Sequence, residues 1–234
     1  MKEKWKTALL SFFEKYPFSR FSFLRRICFD RRLRALLSLF FGGLFNTAYA
    51  FFHIITAVRY GSESLLMLSL YYLMLSANRL FLIRAYRLSQ KAEKGNVQYP
   101  WRVYRHAGAF LLALGLSMTG VVAITASEKE SYPYSPAVFF VTFLYTTALL
   151  ILALRASIHL RRSGSPILSA AKTVSLAGAF VSVFSLYSTA AARFQGVRTY
   201  LSIAVGGGSV LFILALSVFM MIHGKRQINN QTLA

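Results

Sequence analysis

The stretch from Ala35 to Val58 reads ALLSLFFGGLFNTAYAFFHIITAV, twenty-four residues without a formal charge. A helix rises 1.5 Å per residue, so about 20 such residues cross the ~30 Å hydrocarbon core of a bilayer. Five comparable stretches follow. Ser64–Asn78 is uncharged, and its apolar run continues past Arg79 to Ile83. His106–Ser127, Ser131–Leu154, Thr173–Ala192 and Thr199–Gly224 complete the set. A transmembrane barrel would instead show short segments of alternating polarity. The sequence therefore predicts an all-α integral membrane protein with six transmembrane helices. Composition agrees. Hydrophobic residues make up 56% of the 234 and charged residues 15%, against about 25% charged in ordinary soluble domains. That balance excludes a typical soluble fold and is too apolar for disorder.

Charge sets the expected orientation. The net charge of +20 comes from 27 Lys and Arg against seven acidic residues. Twenty-three of the 27 fall in alternate segments: residues 1–34, 79–105, 155–172 and the stretch beginning at Lys225. Four fall in the intervening loops. Basic residues concentrate on the cytoplasmic side of a membrane. The prediction is a multi-pass protein of the cell membrane with both termini cytoplasmic and three helical hairpins, of spans 1–2, 3–4 and 5–6. Residues 1–34 form a basic, aromatic-rich cytoplasmic or interfacial segment, 35–224 the transmembrane domain, and 225–234 a short cytoplasmic tail. Anionic lipids are the expected partners of the basic face. A homodimer is a further expected assembly, and no nucleic acid is needed to explain the charge.

Polar groups inside a membrane point to pathways or to helix contacts. No Asp or Glu lies within any of the six spans, and Glu63 sits at the mouth of the second. Asn46 and His53 lie two helical turns apart on one face of span 1. Tyr71, Asn78 and Arg79 lie along span 2. Ser165-Pro166 reads as a helix N-cap followed by proline at the first helical position, which places Lys172 about 9 Å into span 5. Arg79 and Lys172 both approach the inner leaflet. Each can snorkel to the headgroups. Facing one cavity, they would favour an anion or a neutral polar solute. Asn46, His53, Tyr71, Asn78, Arg79 and Lys172 are the candidate lining of a substrate pathway.

Several chemistries find no support in the residues. Cys28 is the only cysteine, and the four histidines are scattered without an i, i+4 pair, which argues against a tetrahedral zinc site. Hard-cation sites want several carboxylates, and the spans hold none. Hydrolase and nucleotide-loop motifs are absent; Gly206-Gly207-Gly208 lacks the following Gly-Lys-Ser/Thr. No catalytic residue, metal or cofactor is expected, and the chain is not read as an enzyme.

Two runs resemble a known family. Span 1 into span 2 reads Asn46-x6-His53-x3-Ala57-x3-Gly61-Ser62, and span 5 opens Ser165-Pro166-Ile167-Leu168-Ser169-Ala170. These are similar to the cation diffusion facilitators, which carry Asn, Lys, Gly and Gly-Ser at the first set of offsets and Ser-Pro-x-Leu-x-Ala at the second. The resemblance covers roughly residues 35–224. It implies a six-helix transporter scaffold with a divalent-cation site between spans 2 and 5. The corresponding positions here are Tyr71, Leu75, Val174 and Gly178; only Tyr71 offers a donor, and a weak one. His53 stands where the family has its lysine, and the cytoplasmic metal-sensing domain has no counterpart. The resemblance thus implies a degenerate relative: the scaffold without the zinc site. Two functions are expected from this reading. One is a small secondary transporter of a solute unlike zinc. The other is a non-transporting membrane scaffold or accessory subunit.

Overall fold

The computed structural model describes residues 31–91, 98–127, 135–159, 165–194 and 199–232. They form six α-helices: α1 (Arg31–Tyr60), α2 (Glu63–Lys91), α3 (Gln98–Ser127), α4 (Pro136–His159), α5 (Pro166–Phe194) and α6 (Thr199–Thr232). Each contains a segment long and apolar enough to cross a membrane. This is the make-up of a polytopic membrane protein. Residues 38–234 form one compact unit, and residues 1–37 a second. The expected basic segment before Arg31 lies outside the described residues.

Helices start and stop where the local chemistry dictates. α1 ends at Gly61, whose φ of 68° is one that residues with a side chain rarely adopt. The Ser62 N–H then donates to the Ala57 carbonyl at 3.2 Å, the six-to-one bond of a Schellman stop. Ser62 also starts α2, its Oγ accepting from the Leu65 N–H at 3.4 Å, as an N-cap does. The Gly61-Ser62 pair is therefore a two-residue stop and restart. α5 begins at Pro166 after Ser165, as the sequence predicts, and the Ser165 carbonyl accepts from Ser169 N–H at 3.0 Å. α3 and α6 exceed their predicted spans, beginning at Gln98 and continuing to Thr232.

Helices α2 to α6 are linked by shared contacts: α3 packs on α2, α5 and α6, and α5 on α2, α3, α4 and α6. α3 packs along α6 through glycines. A Cβ on Gly108 would lie 2.9 Å from Met220 Cβ, and one on Gly115 2.8 Å from Leu214 Cδ2. Small residues at such contacts let membrane helices approach closely, where dispersion rather than hydrophobic burial holds them. Trp101 and Tyr104 of α3 meet the His223 ring of α6 at 5.5 and 6.3 Å between centroids. The other four helices converge on a polar centre. α4 packs against α5, and α2 against both α3 and α5. The sides turned away from these contacts carry exposed Phe, Leu, Ile and Val, among them Phe40, Phe51, Ile55, Phe140, Leu154 and Phe219, as lipid-facing surfaces do.

Candidate functional site

The polar centre begins where α1 and α2 touch. Gly43 lacks a side chain, so its carbonyl accepts two hydroxyls, Ser76 Oγ of α2 at 3.0 Å and Thr47 Oγ1 at 3.0 Å. The two hydroxyl oxygens lie 2.8 Å apart, so their two protons are shared among three contacts. One turn of α2 further on, Arg79 lies against the same stretch of α1.

Arg79 is 2% exposed. A Cβ on Gly178 of α5 would meet both Leu75 Cδ2 and Arg79 Nη2. The Arg79 guanidinium lies between two glycines on two other helices. A Cβ on Gly42 of α1 would overlap Arg79 Nη1, and one on Gly178 of α5 would lie 3.5 Å from Nη2. The snorkelling expected as one course for Arg79 is not what the structure shows: the charge points into the bundle. Arginine remains charged at any physiological pH. Insertion scales put an arginine at mid-membrane at about 2.5–3.5 kcal/mol, so an unpartnered one calls for compensation. Among the described residues the sole carboxylate is Glu63, exposed in the first turn of α2. No described residue forms a salt bridge or side-chain hydrogen bond with Arg79, and its Nε is buried without a partner.

Tyrosines line the space around it. The phenols of Tyr71 on α2 and Tyr145 on α4 lie within electrostatic reach of the guanidinium. The Tyr145 hydroxyl donates to Asn46 Oδ1 at 2.8 Å, which leaves the buried Asn46 Nδ2 unpaired. Tyr145 also stacks on Tyr49, centroids 3.6 Å apart, and Tyr49 OH pairs with Ser185 Oγ of α5 at 3.1 Å. Tyr72 closes the group edge-on to Tyr49 and Tyr145 at 5.0 and 5.7 Å. His53 sits edge-on to Tyr49 at 4.3 Å, and both ring nitrogens are buried and unpaired. Thr146 Oγ1 of α4 ties to the Ser182 carbonyl of α5 at 2.9 Å.

The sequence-expected residues divide accordingly. Asn46, His53, Tyr71 and Arg79 gather in this centre. Asn78 is fully buried and neither of its amide atoms has a partner. Lys172 is half-buried on α5, nearly two turns before Gly178, with no hydrogen bond or ion pair to the cluster among the described residues. Leu75 and Gly178, two of the four positions where the resemblance would put metal ligands, touch directly: a Cβ on Gly178 would lie 2.9 Å from Leu75 Cδ2. Val174 is buried one turn away. No group of three or more His, Cys, Asp or Glu that could hold a metal occurs among the described residues. Tyr49, Tyr145, Ser185, Gly42 and Gly178 take part in the centre without having been singled out as polar lining in the sequence.

The chain matches no protein-family model and no curated protein sequence.

Proposed function

We propose that this membrane protein is a small secondary transporter, in the cell membrane with both termini cytoplasmic. Its solute would be unlike zinc and would pass through the centre between α1, α2, α4 and α5. The observation that carries the reading is the buried, uncompensated guanidinium of Arg79, gathered with unpaired polar atoms of Asn46, His53 and Tyr71. Unpaired buried polar groups are expensive unless something else completes them. Ionisable residues inside membrane spans most often mark solute or ion paths. The contact of Leu75 with Gly178 supports a facilitator-like neighbourhood of α2 and α5, with a fixed cation where that family binds a mobile one. Transport would proceed by rocking of helix groups about this centre.

Flux into proteoliposomes tests the reading. Wild-type protein is expected to move a polar solute, and Arg79→Gln to abolish that flux while leaving the protein folded. Zinc should not be carried. A second reading, a non-transporting scaffold, draws on Gly120 of α3 and Gly207 and Gly208 of α6. Added Cβ atoms there would meet nothing within 4 Å, so these small residues are available to another helix. Wild-type vesicles inert toward polar anions and neutral polar solutes alike would favour it.

A further inference from the structure

We infer that the buried guanidinium of Arg79, with the unpaired donors of Asn46 and Tyr71, binds a small carboxylate monoanion. The inference deepens the transport reading and takes its solute to be that anion, but binding is testable without flux.

Charge comes first. One arginine, with no carboxylate beside it among the described residues, balances one negative charge and leaves a dianion half neutralised. A divalent cation is repelled by the same guanidinium. The donors agree in sign. Arg79 Nε and Asn46 Nδ2 are buried and unpaired, and both can only donate. The unpaired Tyr71 hydroxyl can donate as well. Tyr145 strengthens this bias, because its own proton is committed to Asn46 Oδ1 at 2.8 Å, so the amide's acceptor is used and its donor left over.

Shape selects further. A guanidinium is a planar fork that takes a carboxylate through two parallel hydrogen bonds, which a spherical halide cannot match. Burial points to a dissolved anion rather than a lipid headgroup: Arg79 is 2% exposed, with its guanidinium against Gly42 of α1 and Gly178 of α5.

The test uses the full chain in phosphatidylcholine nanodiscs, which carry no anionic headgroup. Chloride is replaced stepwise by acetate at fixed pH and ionic strength while thermal unfolding is followed. The midpoint is expected to rise and saturate with acetate. Replacement by inorganic phosphate should give no saturable rise, nor should exchange of sodium for choline. Arg79→Gln should remove the acetate effect, and Arg79→Lys should weaken it at least roughly tenfold, a point charge lacking the fork. Wild-type protein indifferent to acetate, a stronger response to phosphate, or an acetate response that survives Arg79→Gln would overturn the inference. Should Arg79→Gln not fold, Tyr71→Phe removes one hydroxyl and no charge. It is expected to weaken acetate several-fold, and unchanged affinity there overturns the inference equally. Acetate binding with no acetate flux would leave the site standing and sink the transport reading alone.

Discussion

The backbone of α1 at Gly42 lies so close to Nη1 of Arg79 that no side chain fits between them. The guanidinium is held by absence: the missing side chain at Gly42 leaves the room in which a charge is housed, and Gly178 of α5 borders it at ordinary contact distance. Gly42→Ala should therefore move Arg79 rather than merely add a methyl. Ala favours the helix over Gly by about 1 kcal/mol, whereas overpacking typically costs about 1–3 kcal/mol, so a net loss of stability is expected. The double variant Gly42→Ala/Arg79→Gln should recover most of it. Additive unfolding free energies across wild type, the two single variants and the double variant would show that the two residues do not interact.

Tyr145 and Asn46 form the described hydrogen bond between α4 and α1. Tyr145→Phe leaves the Asn46 side chain without any partner and should cost about 1 kcal/mol. Asn46→Leu added to it should be nearly neutral, since both polar groups are then gone. A full double-mutant cycle in one detergent measures this. A coupling energy indistinguishable from zero would argue against the bond.

Leu75 and Gly178 are close enough to be joined. Cysteines at both positions, on a Cys28→Ser background, should crosslink with a short thiol reagent or an oxidant. Cysteines at the lipid-facing Leu80 and Phe180, both exposed, should not. Equal yields from both pairs would count against the α2–α5 contact.

Reporter fusions address orientation. A reporter inserted at Glu128 and one after Ala234 should signal from opposite sides of the membrane, with the second cytoplasmic. The motive is the concentration of 23 of the 27 basic residues in alternate segments. Signals from the same side would refute the arrangement.

Zinc binding should be weak. Closed zinc sites need four N, S or O donors, and no described group supplies even three of His, Cys, Asp or Glu. Calorimetry on tag-free protein should show no stoichiometric site at micromolar affinity or better. A tight site that disappears in His53→Ala/Tyr71→Phe would restore a metal-transport reading.

The spans were legible because a bilayer imposes one simple demand, a long uncharged run, and Ala35–Val58 meets it without interruption. Helix ends were less so. Arg102 and Arg105 lie on α3, and Lys225 and Arg226 lie on α6; charge interrupts an apolar run without interrupting a helix. Ser165-Pro166 succeeded because capping is local. The centre was half visible: Asn46, His53, Tyr71 and Arg79 stand out as polar letters in apolar runs. Gly42 and Gly178 could not, since their role lies in what a neighbouring helix places against them. Tyr145 looks like one more aromatic in an apolar run until α4 is laid beside α1. Arg79 could be read as turning toward either headgroups or protein, and the room for it is left by Gly42 on a neighbouring helix.

The contact between Asn46 and Tyr145 joins residues 99 apart in the chain, and the Gly178 that flanks Arg79 is equally far from it in sequence. Polypeptides emerge from the ribosome N-terminus first, at about 5–20 residues per second. Asn46 and Arg79 are thus made several seconds before the helices that enclose them. Over that interval α1 and α2 hold an amide and a charge for which no finished neighbour yet exists. The centre of this protein is closed only by the last half of its synthesis.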